Sequence, residues 1–269
     1  MAKIIERFEG TAMAVNSYLV QGDDGLVVVD GQLTVSDATA LRERIAAIGR
    51  PVVAVVVTHP HPDHYAGAAT IVDESVPIYA TSAVDAVIRR DDSEKDAIVG
   101  PMMGAEWPAE RRFPDRPVDD GSVVELAGLE FTVEDVGPGE SHADSVWKLG
   151  DDWFIGDVIC HDTHAYLADG QYAKWLASLD GLMDKTAAGT RLYVGHGEPT
   201  DRIAIAAQRT YIQTFIDAVA AAAGFEPAER TAAVVEAMSG LVADSRLQFL
   251  MELSIEPVAQ ELGRDTSAV

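Results

Sequence analysis

The run Val52-Val53-Ala54-Val55-Val56-Val57 passes directly into Thr58-His59-Pro60-His61-Pro62-Asp63-His64-Tyr65-Ala66-Gly67. Six consecutive apolar residues, five of them β-branched, are the mark of a strand covered on both faces. A chain built on such a strand needs a sheet with other layers on either side. The residues just past the strand are equally restrictive. His59 and His61 each precede a proline, and a residue before proline is driven out of the helical region into an extended conformation. In extended backbone, residues two apart point the same way. Both imidazoles can therefore reach one metal ion. Asp63 and His64 fall where the chain must turn, and can face a second ion beside the first. Three of the seven histidines lie within these six residues. Imidazole and carboxylate donors suit zinc, with manganese and iron as alternatives.

A pair of ions needs further donors. Three single residues offer them: His142 in Gly137-Pro138-Gly139-Glu140-Ser141-His142-Ala143-Asp144-Ser145, Asp157 after Gly156, and His196 in Gly195-His196-Gly197. Each sits at a strand end or in a glycine-bearing turn, where a side chain can project into a cleft.

Around these motifs the chain alternates strand and helix patterns. Val15–Val20 and Leu26–Val29 flank the turn residues Gly22 to Gly25 and predict a hairpin. A helix capped by Ser36 comes next, with Leu41, Ile45 and Ile48 on one face; Gly49 closes it and Pro51 blocks extension. A short helix is expected over 67–73, a strand over 78–80 and a helix over 82–90. Residues 91–117 carry many charges, four prolines and no periodicity, and predict a long surface loop or lid. Strands resume at 123–126, 129–133, 146–149, 153–155 and 192–194, with a helix at 172–183. From Asp201 onward the spacing is helical. The expected organisation is one α/β domain over 1–200, with a loop insertion at 91–117 and a helical C-terminal extension over 201–269 packed on it. Those last helices also offer a surface for a homodimer.

Composition narrows the function. There are 20 basic against 44 acidic residues, a formal net charge of −24. Such a surface repels polyanions, whereas nucleic-acid binding relies on clustered Lys and Arg. No stretch approaches the roughly 18 apolar residues of a membrane span, and the opening MAKIIERFEG has charges where a signal peptide needs an apolar segment. The expectation is a cytoplasmic protein with a small-molecule substrate, no nucleic acid and no membrane. The single cysteine, Cys160, forbids an internal disulfide framework and reads as a small buried hydrophobe.

In order and spacing, His59-x-His61-x-Asp63-His64 together with the later His142, Asp157 and His196 resembles the metallo-β-lactamase superfamily over roughly residues 10–200. The resemblance implies an αββα sandwich with two divalent metal ions at one edge. It implies that His59, His61 and His142 hold one ion, that Asp63, His64 and His196 hold the other, and that Asp157 bridges them, as in the glyoxalase II and lactonase-like branches. Two departures stand out. The family commonly places its third histidine directly after a glycine, but Glu140 and Ser141 separate Gly139 from His142, which makes Glu140 a rival for that position. His61 occupies a place where the oxygen-reducing diiron branch usually has glutamate, which counts against that branch.

The implied chemistry is attack of a metal-activated hydroxide on the carbonyl of a lactone, thioester, ester or β-lactam. Asp63 would orient the attacking oxygen and relay its proton. Tyr65, His164 and Tyr166 are candidates for binding substrate, and Trp107 and Phe113 for closing over it. The alternatives are a phosphodiesterase acting on a small phosphoester, since two metals also support phosphoryl hydrolysis, and a mononuclear iron persulfide dioxygenase.

Overall fold

A computed structural model describes residues 3–267, arranged as two six-stranded sheets packed face to face with helices on both outer faces. The first sheet has the order β1 (Ile4–Glu9), β2 (Asn16–Gln21), β3 (Leu26–Val29), β4 (Val52–Val56), β5 (Ile78–Thr81) and β6 (Arg116–Val118). β1 to β3 form an antiparallel meander, and β3 to β6 run parallel. Helices α1 (Val35–Ile48), α2 (Pro62–Tyr65), α3 (Ala68–Ile71) and α4 (Ser82–Met103) make the connections. The second sheet comprises β7 (Val123–Leu126), β8 (Leu129–Gly137), β9 (Asp144–Leu149), β10 (Asp152–Gly156), β11 (Arg191–Val194) and β12 (Thr200–Asp201). It is antiparallel except where β10 lies parallel to β11 across the helix α5 (Tyr172–Lys185). The chain ends in α6 (Ile203–Ala221), α7 (Pro227–Met238) and α8 (Gln248–Ser267).

The alternation of side chains along each strand sorts the core into three slabs. Leu26 and Val28 of β3, with Val55 of β4, face α1, α3 and α4. Their neighbours Val27, Val29, Ala54 and Val56 face the other sheet, meeting Phe131, Trp147 and Phe154. On the far side, Trp153, Ile155, Leu192 and Val194 pack against α5 to α8, including Phe215, Met251 and Ile255. The continuous apolar run of β4 is therefore explained: both faces are covered. The C-terminal helices share one core with the second sheet. Among the described residues, no helix is long and apolar enough to cross a membrane.

Two local expectations need correction. α1 is capped by Thr34, whose side chain accepts from Asp37 N at 3.0 Å, rather than by Ser36. Ser36 instead bonds Glu106 through both its N–H and its hydroxyl. The segment 91–117 is a loop only in its second half, because α4 continues through Met103. The helical pattern fades after Ile88 because the next inward position is a carboxylate. Asp92 is buried, takes two hydrogen bonds of 2.8 Å from Arg111 and accepts a third from the Tyr65 hydroxyl at 2.9 Å. Trp107 is also buried, donates to Asp96 and lies under the Arg111 guanidinium. Phe113 packs against Tyr65 and Arg89. Trp107 fastens the end of α4, and Phe113 its first half, to the body of the protein.

Removing one partner of an enclosed ion pair leaves the other charge uncompensated. Asp92→Ala should lower stability by about 3 kcal/mol, read as a shift of the urea midpoint; an unchanged midpoint would contradict this role for the pair.

Candidate metal centre

Every candidate ligand sits just past the end of a strand, at the edge where the two sheets meet. His59 to His64 come after β4, Glu140 lies between β8 and β9, Asp157 comes after β10 and His196 after β11. Backbone hydrogen bonds join the sheets here, from Asn16 N to Gly195 O at 2.7 Å and from Ser145 N to Thr58 O at 3.0 Å. Within the second sheet, Gly195 N donates to Gly156 O at 2.9 Å. The approach is close enough to require glycine. A Cβ on Gly195 would lie 1.9 Å from Asp157 Oδ1 and 2.8 Å from His64 Cε1. His61 is extended, as a residue before proline should be, and Pro62 opens the short turn of α2 that carries Asp63 and His64.

The donor atoms form three overlapping groups: His59 with His61 and Glu140, His59 with His64 and Asp157, and Asp63 with His64 and His196. His196 Nε2 lies 3.3 Å from Asp63 Oδ2 and 3.1 Å from Asp157 Oδ2. His64 Nε2 is 3.6 Å from both Asp63 Oδ2 and Asp157 Oδ1. Asp157 also approaches His59 Nε2, at 3.9 Å, so this one carboxylate stands between the two ends of the cluster. At the other end Glu140 Oε2 is 2.9 Å from His61 Nδ1 and 3.6 Å from His59 Nε2.

Hydrogen bonds on the outer side of each ring fix its tautomer. His64 Nδ1 donates to Asp30 Oδ2 at 3.0 Å. The Thr58 hydroxyl donates to the same carboxylate, so it accepts from His59 Nδ1 at 3.1 Å. His196 Nδ1 donates to the Ala14 carbonyl at 3.3 Å, and His61 Nε2 to Asp169 Oδ2 at 3.4 Å. In each neutral ring the inward nitrogen is then a bare lone pair, as a metal ligand requires. Asp30 holds a left-handed φ of 63° to reach both Thr58 and His64, backbone strain of the kind that gathers at functional sites.

His59 Nε2, His64 Nε2, Glu140 Oε2 and Asp157 Oδ1 are buried without a hydrogen-bond partner. Such orphans are costly. Four of them gathered in one cluster fit bound divalent cations.

Charge is shared unevenly across the cluster. Burial opposes protonation of His61, yet the Glu140 and Asp169 carboxylates push it up to about 10. Burial likewise opposes protonation of His196, which Asp157 and Asp63 raise to about 10. Burial lifts Glu140 to about 8 against the pull of His61. Burial works against ionisation of Asp63 too, but His64 and His196 hold it well below the usual carboxylate range.

The remaining sequence candidates fare differently. His142 does not join the cluster. The turn that carries it is closed by Ser141 N and Oγ bonding the Asp144 carboxylate, which turns Glu140 inward and leaves the His142 side chain 37% exposed, near Asp169 and Gln171. It is Glu140, not His142, whose donor atom groups with those of His59 and His61. Tyr65 is fully buried, with its hydroxyl committed to Asp92, and cannot meet a substrate. His164 is enclosed as well, its Nδ1 paired with the Tyr211 hydroxyl at 2.9 Å. Tyr166 does reach the centre, its ring edge-on to His61 at 5.5 Å, and burial pushes its phenol up to about 12. Cys160 is buried as expected; with Thr163, Gln208 and Tyr211 it lines a separate cavity of about 300 Å³ that none of the cluster residues touches. Sequence patterns give no hint of Asp30, Asp169 or Lys95, whose Nζ donates to Pro60 O at 3.2 Å.

The family model described as the metallo-beta-lactamase superfamily matches residues 10–196, and the chain belongs to that superfamily. No curated protein matches it in sequence. Among solved structures it is similar to a metallo-beta-lactamase family protein from Thermus thermophilus, at 20% identity and TM-score 0.69, over 97% of this chain and 94% of that one. It is similar to the sec-alkylsulfatase Pisa1 from Pseudomonas sp. at 19% identity and TM-score 0.70, over 96% of this chain but 48% of the sulfatase. A metallo-beta-lactamase from Pontibacter korlensis matches at 16% identity and TM-score 0.63, over 78% and 93% of the two chains.

This geometry has two measurable outcomes. Glu140→Ala should weaken metal retention by at least the roughly 10- to 100-fold that loss of an outer-shell partner costs in dialysis against a chelator, whereas His142→Ala should retain metal like the parent; the reverse order would restore His142 to the site. Metal uptake must also displace protons, because His61 and His196 hold theirs up to about 10 and a ligand nitrogen must be bare. Affinity should therefore fall as pH drops below 10, and calorimetry at pH 7 in buffers of different ionisation enthalpy should register proton release; zero release would contradict it.

Proposed function

We propose that the protein is a dinuclear metal-dependent hydrolase of a small acyl compound: a lactone, thioester, ester or β-lactam. The observation that carries this reading is the convergence of four unpartnered buried donor atoms inside a cluster of four imidazoles and three carboxylates. His59, His61 and Glu140 would hold one ion and Asp63, His64 and His196 the other, with Asp157 between them. Zinc suits the donor set best, with manganese and iron as alternatives.

When bound, two divalent cations acidify water and polarise an acyl carbonyl. The chain's own groups do the rest. Asp63 stays ionised beside His64 and His196, so it can accept a hydrogen bond from the attacking water, orient it and relay its proton. Tyr166 keeps its proton near neutral pH and stands next to His61, able to donate to an oxygen that gains charge. Asp169 and Asp30 hold His61 and His64 in register from behind.

A second reading is hydrolysis of a sulfate ester. Its support is the Pseudomonas sulfatase structure, which covers 96% of this chain, the C-terminal helices included. Phosphoester hydrolysis and a mononuclear iron dioxygenase complete the alternatives; a metal count of one per chain would favour the last.

Asp63→Asn tests the central role directly. Turnover should fall by about 10³-fold on whichever member of a lactone, thioester, ester, β-lactam, phosphodiester and sulfate-ester panel the parent cleaves, with the far-ultraviolet spectrum unchanged. Near-parental turnover would remove Asp63 from the mechanism.

A further inference from the structure

We infer that the cavity lined by Cys160, Thr163, Gln208 and Tyr211 is a second small-molecule site, separate from the metal centre, that takes a compact uncharged carboxamide with an apolar body.

The cavity holds about 300 Å³, at the lower end of the range in which ligand pockets fall. It lies between the loop 160–163, the start of α6 and the connection from α7 to α8. That connection is tied to the loop: Asp244 N donates to Asp162 O at 2.9 Å, and Asp162 takes a left-handed φ of 56° at the joint. A non-glycine residue is held in that conformation only where its surroundings demand it.

The polar floor selects the ligand. Gln208 and Thr163 line the cavity at 3% and 4% exposure. Cys160 N donates to Gln208 Oε1 at 3.0 Å. A backbone N–H can only donate, so this bond fixes the carboxamide with its oxygen spent and its NH2 on the other arm. Neither Gln208 Nε2 nor Thr163 Oγ1 has a hydrogen-bond partner. Two enclosed polar groups left unpaired on one cavity wall are costly unless something pairs with them. The neighbouring polar groups are already engaged. The Tyr211 hydroxyl meets Ala165 N at 3.3 Å and His164 Nδ1 at 2.9 Å, and the His161 ring bonds Glu198 O and the Thr200 hydroxyl. What is left is an NH2 that needs an acceptor and a hydroxyl that can accept. A carboxamide supplies both partners, its carbonyl to Gln208 and its N–H to Thr163.

The rest of the lining sets charge and shape. Ile203 and Leu241 stand exposed at the mouth, and with Ala204, Ala207 and Val242 they offer an apolar wall. Among the described residues that line the cavity, Asp162 and Asp201 bring two carboxylates and there is no lysine or arginine. Such a mouth repels anions.

Benzamide and benzoate have nearly the same shape and differ in charge and in the N–H donor. Each is titrated into zinc-loaded full-length protein labelled with nitrogen-15, and binding is followed at the Gln208 side-chain NH2 and the backbone amides of 160–163. Benzamide should shift these signals saturably, and benzoate should bind there at least about tenfold more weakly. Thr163→Val removes a hydroxyl that has no partner, so the fold should tolerate it, while benzamide should bind about fivefold more weakly. Should that variant lose the dispersed spectrum of the folded protein, Gln208→Glu, which keeps an oxygen on Cys160 N and removes the NH2, should weaken benzamide in the same way. No saturable shift with benzamide, benzoate binding there as tightly as benzamide, or a folded Thr163→Val protein with parental affinity overturns the site.

Discussion

Four imidazoles and three carboxylates enclosed at one sheet edge are held together against a large desolvation cost. Moving an unpaired carboxylate out of water is among the most expensive acts a fold can perform. Here the carboxylates of Asp63, Asp157 and Glu140 face histidine nitrogens at 2.9 to 3.9 Å, and several of these atoms lack any hydrogen-bond partner. Bringing positive charge into the cluster is what makes the arrangement tenable: protons before metal binds, divalent cations afterwards. Much of the surrounding architecture serves to keep these seven groups in place.

The two sheets divide that task. The first supplies His59 to His64 from the end of its most enclosed strand, and the second supplies Glu140, Asp157 and His196 from the ends of three others. Neither sheet alone could build the centre. They are joined where it lies, by backbone hydrogen bonds from Asn16 to Gly195 and from Ser145 to Thr58, and by the Tyr18 hydroxyl donating to Val194 O. Gly195 shows how close the joint is, since any side chain there would strike Asp157. The aromatic layer of Tyr18, Phe131, Trp147 and Phe154 between the sheets sets their separation.

How much of this is legible in the sequence depends on whether the signal is repeated or single. β4 reads correctly because a short, continuous run of β-branched residues favours a strand covered on both faces. The extended stretch at His61 reads correctly because proline imposes it. The ligand between β8 and β9 does not, because the choice between Glu140 and His142 is made by one local turn, in which Asp144 bonds back to Ser141. Spacing carries no trace of that bond. α4 is half hidden for a related reason: a salt bridge, Asp92 with Arg111, occupies an inward position where a periodicity argument expects an apolar residue. Asp30, Asp169 and Lys95 belong to no motif and become visible only when the fold sets them beside Thr58, His61 and Pro60. Tyr65 shows the opposite error. It adjoins His64 in sequence, but the α2 turn sends its ring into the core behind the centre.

The most direct measurement of the central claim is anomalous X-ray scattering from crystals of the zinc-loaded protein. Two peaks should appear, one among His59, His61 and Glu140 and one among Asp63, His64 and His196, with Asp157 in contact with both. A single peak, or one seated on His142, would contradict the dinuclear centre proposed above.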